Sequence, residues 1–270
     1  MAQSDTRFVG KVPEFYDTYM VPLLFQTYAE DMAARIAGLK PAAVLETAAG
    51  SGVVTRVLAP LLGAQTRYGV TDLNAPMLEQ AKSRQGTDDR IEWAAADALS
   101  LPYDDASFDA VLCQFGAMFF PDRPRGYAEA LRVMKPGATF VFSVWDSLAD
   151  NDIPATIWQA VQAHYPVDPP TFFTRTPHGY FDQTQIRADV VAAGFTDVSI
   201  ETVTRQSHAA TARDAAMALV QGTPLRMELM ARDPEGLGAV TDAAEAAVRQ
   251  RYGDGPVAGK IQAFVVTARV

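Results

Sequence analysis

Cysteine is almost missing from this chain. The single Cys113 among 270 residues can close no internal disulfide and build no multi-thiolate metal site. It lies in an apolar stretch and reads as a small buried hydrophobe. Basic runs are missing as well. With 23 Lys and Arg against 32 Asp and Glu, the net charge of −9 argues against a nucleic-acid partner. No window approaches the ~18–20 apolar residues of a membrane span, so no membrane association is expected. Residues Met1 to Arg7 show no cationic stretch leading into an apolar one, so no secretory leader is expected and a cytoplasmic location is the default. Internal repeats and low-complexity tracts are absent, and no metal site is expected. The hydrophobic fraction of 49% is that of a globular protein, long enough for one large domain or a core with an elaborated cap.

The stretch Val44-Leu45-Glu46-Thr47-Ala48-Ala49-Gly50-Ser51-Gly52-Val53-Val54-Thr55 carries the densest signal. It reads as a buried strand, a carboxylate at the strand's end, a loop of small residues and the start of a helix. Small residues let a ligand approach the backbone, and glycine adopts φ values that others avoid. The helix start offers unpaired N–H groups to an anion. Further on, Tyr68-Gly69-Val70-Thr71-Asp72 reads as a second strand ending in a carboxylate, placed to accept from a ribose in a doubly wound fold. An adenosine-containing cofactor is expected. Glu46 selects among such cofactors. A dinucleotide would set its pyrophosphate on the loop, where a buried carboxylate repels it. S-adenosylmethionine brings an ammonium and a sulfonium, which a carboxylate attracts. The dinucleotide pattern also fails at its third glycine, where Thr55 stands.

Arg90 to Ala96 reads as a third strand with Asp97-Ala98 at its carboxyl end, and Ser107 to Gln114 as a fourth. With these motifs in this order, the chain resembles the class I S-adenosylmethionine-dependent methyltransferases. It is similar to the group that includes the ubiquinone/menaquinone-biosynthesis C-methyltransferases. The likeness is carried by Glu46 through Gly52, Asp72, Met77, Asp97-Ala98, Phe108-Asp109 and Leu131-Arg132-Val133-Met134-Lys135-Pro136-Gly137. It departs at Ala48, where the family usually carries glycine. Alanine is expected to be tolerated there if its φ is negative.

The resemblance implies a set of roles. Glu46 would lie near the methionine ammonium, with the backbone at Ala48, Gly50 and Gly52 beside the methionine moiety. Asp72 would hold the ribose hydroxyls, with Leu73 and Met77 against the adenine. Asp97 would accept from the adenine amino group and the Ala98 N–H would meet a ring nitrogen. Gln114 and Phe115 would face the methionine portion and the transferable methyl. For each acidic residue the alternative is a helix cap or a solvated loop.

Outside the core the expected layout has three additions. An N-terminal helical lid (1–39) is rich in aromatics, including Phe8, Phe15, Phe25 and Tyr28, and offers Tyr16 and Tyr19 as cofactor contacts. The S-adenosylmethionine-binding core (40–146) ends on a fifth strand, Thr139 to Trp145, introduced by a turn at Lys135-Pro136-Gly137. A substrate lid (147–182), rich in proline and aromatics, cannot be one long helix. The rest of the core (183–270) holds a helix ended by Gly194, a sixth strand at Asp197 to Thr204, a helical insertion (211–252) and a seventh strand at Gln262 to Ala268. The expected fold is an α/β, Rossmann-like, doubly wound seven-stranded sheet with the last strand antiparallel.

The acceptor is expected to be a small apolar or aromatic molecule, contacted by Met118, Trp145, Phe172 and His178. His164 and His178 are the candidates for a general base, which is needed only if the acceptor must lose a proton; His208 is harder to place. The expected activity is in-line methyl transfer from S-adenosylmethionine, leaving S-adenosylhomocysteine. The alternatives are a nicotinamide-dependent oxidoreductase and a domain that binds S-adenosylmethionine without transferring its methyl.

Overall fold

The computed structural model describes residues 12–270, with Pro13 by its backbone alone; Phe8 lies outside the described residues. The chain divides into two compact units. A sheet unit takes Thr27–Val144, Tyr180–Val203 and Ala263–Val270. A helical unit takes the segment up to Gln26, Trp145–Gly179 and Thr204–Gln262.

Seven strands form one sheet: β1 Ala43–Glu46, β2 Arg67–Asp72, β3 Ile91–Ala95, β4 Phe108–Gln114, β5 Met134–Trp145, β6 Asp197–Ala209 and β7 Val257–Arg269. Their order is β3-β2-β1-β4-β5-β7-β6. The first five run parallel, β7 is antiparallel, and helices cover both sides. Every residue of β1 is buried, as are the last five of β2. Such unbroken apolar runs are what a parallel strand covered on both faces requires. The order winds outward from β1 through β2 to β3, then returns to the other flank of β1 with β4. That reversal leaves a crevice at the carboxyl ends of β1 and β4, where open α/β sheets bind ligands.

The helical elements are α1 Val12–Phe15, α2 Gln26–Gly38, α3 Val53–Leu58, α4 Ala75–Gln85, α5 Arg123–Val133, α6 Asp152–His164, α7 Phe172–Arg175, α8 Gln183–Ala192, α9 Ala212–Ala216, α10 Leu225–Arg232 and α11 Leu237–Tyr252. Between α1 and α2 the chain is π-helical from Tyr16 to Phe25, around Pro22, whose missing N–H cannot serve the regular ladder. In the sheet unit, Tyr127 of α5 stacks on Phe142 at 4.9 Å, Phe142 on Phe140 at 5.1 Å and Phe140 on Phe195 at 5.8 Å. On α2, the buried Tyr28 donates its hydroxyl to the Val203 carbonyl at 2.9 Å and meets Phe115 edge-on at 5.2 Å. These aromatic contacts fix helices to strands through packing geometry as well as buried area.

Two sequence expectations need correction. Lys135-Pro136-Gly137 is not a turn that precedes β5 but a bulge within it. Register jumps from Phe108↔Met134 to Ala110↔Thr139, and Gly137 has φ 80°. Glycine supplies the positive φ that a bulge of this kind needs. The last two strands are also longer than expected, at 13 residues each. β6 is an edge strand, so most of its residues stay exposed and its polar sequence hides its length. His208 therefore lies on the strand, exposed, and not beyond it.

The helical unit is tied together by a polar latch. Asn151, wholly buried, donates its amide to the carbonyls of Ser147 (2.9 Å), Gln262 (3.3 Å) and Asp146 (3.4 Å). Its side-chain oxygen accepts from the Gln262 N–H at 3.1 Å. Gln262 also donates through Nε2 to the Asp146 carboxylate at 2.7 Å. Replacing Asn151 by alanine strands a buried donor and three acceptors, which should cost about 2–3 kcal/mol. The check is the urea midpoint of Asn151→Ala, expected to fall; an unchanged midpoint removes the latch from the account.

Candidate cofactor site

The site grows from the end of β1. Glu46 closes that strand with 1% of its surface exposed. Its Oε2 accepts from the Tyr68 hydroxyl on β2 and from Thr55 Oγ1 on α3, the latter at 2.8 Å. Burial dominates its ionisation and raises its pKa to about 7, against the lowering effect of the two hydroxyls and of Arg56. A carboxyl in this state is half neutral near neutrality, and a cation beside it would restore its charge.

The loop that follows is anchored to β2 by its backbone. The Ala49 N–H donates to the Thr71 carbonyl at 2.9 Å, and the Gly50 N–H to Asp72 Oδ2 at 2.8 Å. Asp72 Oδ1 accepts from the Asn74 N–H at 2.7 Å, a turn closed two residues on. Asp72 is thus no helix cap, since Asn74 occupies the cap position of α4. It sets the glycine loop, and burial raises its pKa. Gly50 and Gly52 take φ 58° and 79°. A Cβ on Gly52 would come within 2.8 Å of Ala81 Cβ, so glycine is required for α3 to begin beside α4. Ser51 Oγ is buried with no hydrogen-bond partner among the described residues.

Ala48 departs from expectation. Its φ is +52°, in the left-handed region, not the negative value on which tolerance of alanine was premised. Phe115, at the end of β4, shares that φ, while its N–H donates to the Ser143 carbonyl at 3.1 Å and hydroxyl at 3.2 Å. A bulky residue held at positive φ marks strain that the surrounding structure sustains, and such strain gathers at functional sites.

The remaining expected contacts in the sheet unit fall as follows. Leu73 is 57% exposed directly after Asp72, whereas Met77 is buried on α4. Asp97 is exposed and accepts from the Leu99 N–H at 2.9 Å; Ala98 is half-buried. Gln114 is half-buried at the end of β4, and Met118 is buried in the short turn that follows. The loop, Glu46, Asp72 and the end of β4 are one contiguous set, because register places Glu46 beside Val70 and Leu112.

Other expected residues belong to the helical unit. Tyr16 stacks on Phe25 at 5.1 Å and Tyr19 on Phe15 at 5.9 Å. Trp145 is buried, 5.9 Å from Phe25 and 6.1 Å from the His178 ring. Phe172 is buried beside Phe173. His178 Nδ1 lies 2.9 Å from the Asp146 carbonyl. A carbonyl only accepts, so Nδ1 carries the proton and Nε2 keeps a lone pair. Burial lowers the His178 pKa to about 4, which keeps the ring neutral. His164, in contrast, is exposed at the end of α6, with its ring against Tyr165. Among the described residues no group of three or more His, Cys, Asp or Glu could hold a metal ion.

Sequence reasoning missed Tyr68 and Thr55, the two hydroxyls that hold Glu46. The signal was a tyrosine beside glycine in a strand paired with β1, together with a buried threonine one helical turn past the loop. It also missed Ser143, which braces Phe115.

Comparison with known proteins agrees with this geometry. Residues 45–142 match a family described as a methyltransferase domain. Over 98 residues the chain is 40% identical to a demethylmenaquinone methyltransferase of Clavibacter sepedonicus, covering 36% of this chain and 39% of that protein. The chain thus spans less than half the length of the curated relatives it matches. Among solved structures, phosphoethanolamine N-methyltransferase 2 of Haemonchus contortus, in complex with phosphomonomethylethanolamine and S-adenosylhomocysteine, aligns with a TM-score of 0.61 at 14% identity. That alignment covers 98% of this chain and 59% of the other. The [4+2]-cyclase SpnF aligns with a TM-score of 0.55 at 18% identity, over 91% of this chain and 82% of its own. At such identities these structures share the fold alone. Residues 45–142 are thus similar to methyltransferase domains, among them those of the ubiquinone/menaquinone C-methyltransferases.

The Glu46 geometry fixes the sign of a pH effect. Its pKa in the fold lies above its ordinary 4.5, so folding favours the protonated carboxyl. Its contribution to stability is full below pH 4.5 and is lost as pH rises from there through about 7. Glu46→Gln keeps an acceptor for both hydroxyls and removes the ionisation. The variant should therefore be more stable than the parent above pH 7, by on the order of 3 kcal/mol, and lose that advantage at acid pH. Denaturation at both pH extremes decides it; an advantage that is equal at both would contradict the assignment.

Proposed function

We propose that this chain is an S-adenosylmethionine-dependent methyltransferase acting on a small apolar or aromatic acceptor. The observation that carries the reading is the buried Glu46 at the entrance of a glycine loop whose backbone Asp72 holds in place. Two carboxyls raised in pKa by burial form a setting hostile to a pyrophosphate and favourable to an ammonium or sulfonium. That contrast, with Thr55 in place of a third glycine, sets aside the nicotinamide alternative.

The residues fit the cofactor. Glu46 would face the methionine ammonium, the Ala48–Gly52 backbone the methionine chain, and the remaining lone pairs of the Asp72 carboxylate the ribose hydroxyls. Leu73 offers an exposed apolar surface for the adenine, with Asp97 and Ala98 at its edge. When bound, S-adenosylmethionine supplies a methyl on a sulfonium; the acceptor's electron pair forms the new bond as the carbon–sulfur bond breaks, leaving S-adenosylhomocysteine. The chain's contribution is chiefly to hold the partners in line, an effect worth up to about 7–11 kcal/mol. Phe115 would present an aromatic face to the positive sulfur.

On the acceptor side we assign Met118, Trp145, Phe172 and His178. The lone pair at His178 Nε2 suits a hydrogen bond from an acceptor hydroxyl and is able to receive its proton. A quinol-like ring fits this assignment, in keeping with the names of the relatives. No helix among the described residues is long and apolar enough to cross a membrane.

The test is incubation with methyl-labelled S-adenosylmethionine and a panel of phenolic and quinol acceptors, followed by product analysis. Label should move to an acceptor. In the same assay Phe172→Ala or His178→Asn should raise the acceptor KM or lower turnover while S-adenosylhomocysteine affinity holds. Tight cofactor binding with no label transferred to any acceptor would instead identify a domain that binds without transferring.

A further inference from the structure

Ala48 and Gly116 compete for the space of one methyl group. Ala48 lies on the loop after β1 and Gly116 on the loop after β4, on either side of the crevice where the strand order reverses. A Cβ built on Gly116 would overlap Ala48 Cβ and come within 2.8 Å of Cys113 Sγ. Gly116 has an ordinary backbone, φ −98° and ψ −37°, that any residue can adopt. Glycine is needed at 116 for room, not for conformation. The reverse holds at 48. There φ is +52°, which glycine adopts freely and alanine only under strain. The Ala48 N–H and C=O take no hydrogen-bond partner among the described residues, so hydrogen bonding does not offset that strain. The chain therefore keeps an alanine in a strained conformation opposite a glycine enforced by room, where the interchanged pair would relieve the backbone strain at 48.

We propose that Ala48 is a positioning residue, its methyl wedged against Gly116 to lock the loop after β1 to the loop after β4 in the shape that receives the cofactor's methionine end. The inference rests on the methyltransferase reading. The first loop carries the backbone assigned to the methionine moiety. The second continues from Phe115, itself held at φ +52° between Ser143 and the edge of Tyr28. With glycine at 48, the wedge is lost and the loop gains conformational freedom that binding must remove. A methyl delivered from position 116 would occupy the same space and restore the lock.

The experiment is a three-variant cycle, A48G, G116A and A48G/G116A, read by S-adenosylhomocysteine titration and by Tm in the absence of ligand. A48G should bind about fivefold more weakly with Tm no lower than the parent, a divergence that a purely structural role would not produce. G116A should lower Tm, since two methyl groups cannot share the space. The double variant should recover the lost affinity and part of the Tm that G116A loses, because glycine at 48 removes the clash with the Ala48 methyl while the approach to Cys113 Sγ remains. Unchanged affinity in A48G, or a double variant that binds no better than A48G, overturns the proposal. A parent chain that does not bind S-adenosylhomocysteine overturns the methyltransferase reading and the positioning role with it, while the Tm series still reports independently on the wedge.

Discussion

A carboxyl group buried at the end of a central strand is the constraint on which this site depends. Glu46 sits where β1, β2 and β4 lie side by side, and its oxygen is served by hydroxyls from β2 and α3. Burial of such a group disfavours its charge, and the two hydroxyls recover only part of that cost. In the proposed reading, the cationic end of the cofactor completes the electrostatics of this site. Asp72 acts one strand away by a different means, spending two of its acceptor positions on the backbone of Gly50 and Asn74. One carboxyl supplies attraction and the other supplies shape.

The strained backbone belongs to the same logic. Ala48 and Phe115 stand on the two loops at which the strand order reverses, both at positive φ, with Phe115 held there by hydrogen bonds to Ser143 of β5. Preorganisation of this kind lowers the ordering cost of binding. It places the tension where the ligand is expected and leaves the strands beneath it unstrained, as the regular register of β1 with both neighbours shows.

The parts legible in the sequence were those with redundant signals. β1, β2 and β4 announce themselves as apolar runs, and the order of Glu46, the glycine loop, Asp72 and Asp97 marks the end of the sheet to which the proposed cofactor site is assigned. The partners of Glu46 were not legible, because pairing Tyr68 and Thr55 with it requires strand register and helix phase. The φ of Ala48 escaped for a related reason: alanine gives no hint of a left-handed conformation imposed by its surroundings. The bulge in β5 has the composition of a turn, Lys135-Pro136-Gly137, and only the pairing with β4 distinguishes the two. The length of β6 was hidden by the polar sequence that an edge strand tolerates. Acceptor recognition is the least legible, since the match to the methyltransferase-domain family ends at residue 142, before Trp145 and the segment that follows it.

The central claim is that Glu46 receives the positive end of the cofactor, and cofactor affinity as a function of pH tests it most directly. A cation selects the ionised carboxylate, so binding must displace the proton that Glu46 holds below its pKa of about 7. Calorimetric titration of S-adenosylhomocysteine on both sides of that pH should show affinity rising with pH, by up to about tenfold per unit on the acid side, with proton release to the buffer. In Glu46→Gln the affinity should be weaker and its dependence on pH flat in that range. Parent and variant that bind alike at every pH, or a parent that binds NADH and not S-adenosylhomocysteine, would contradict the account.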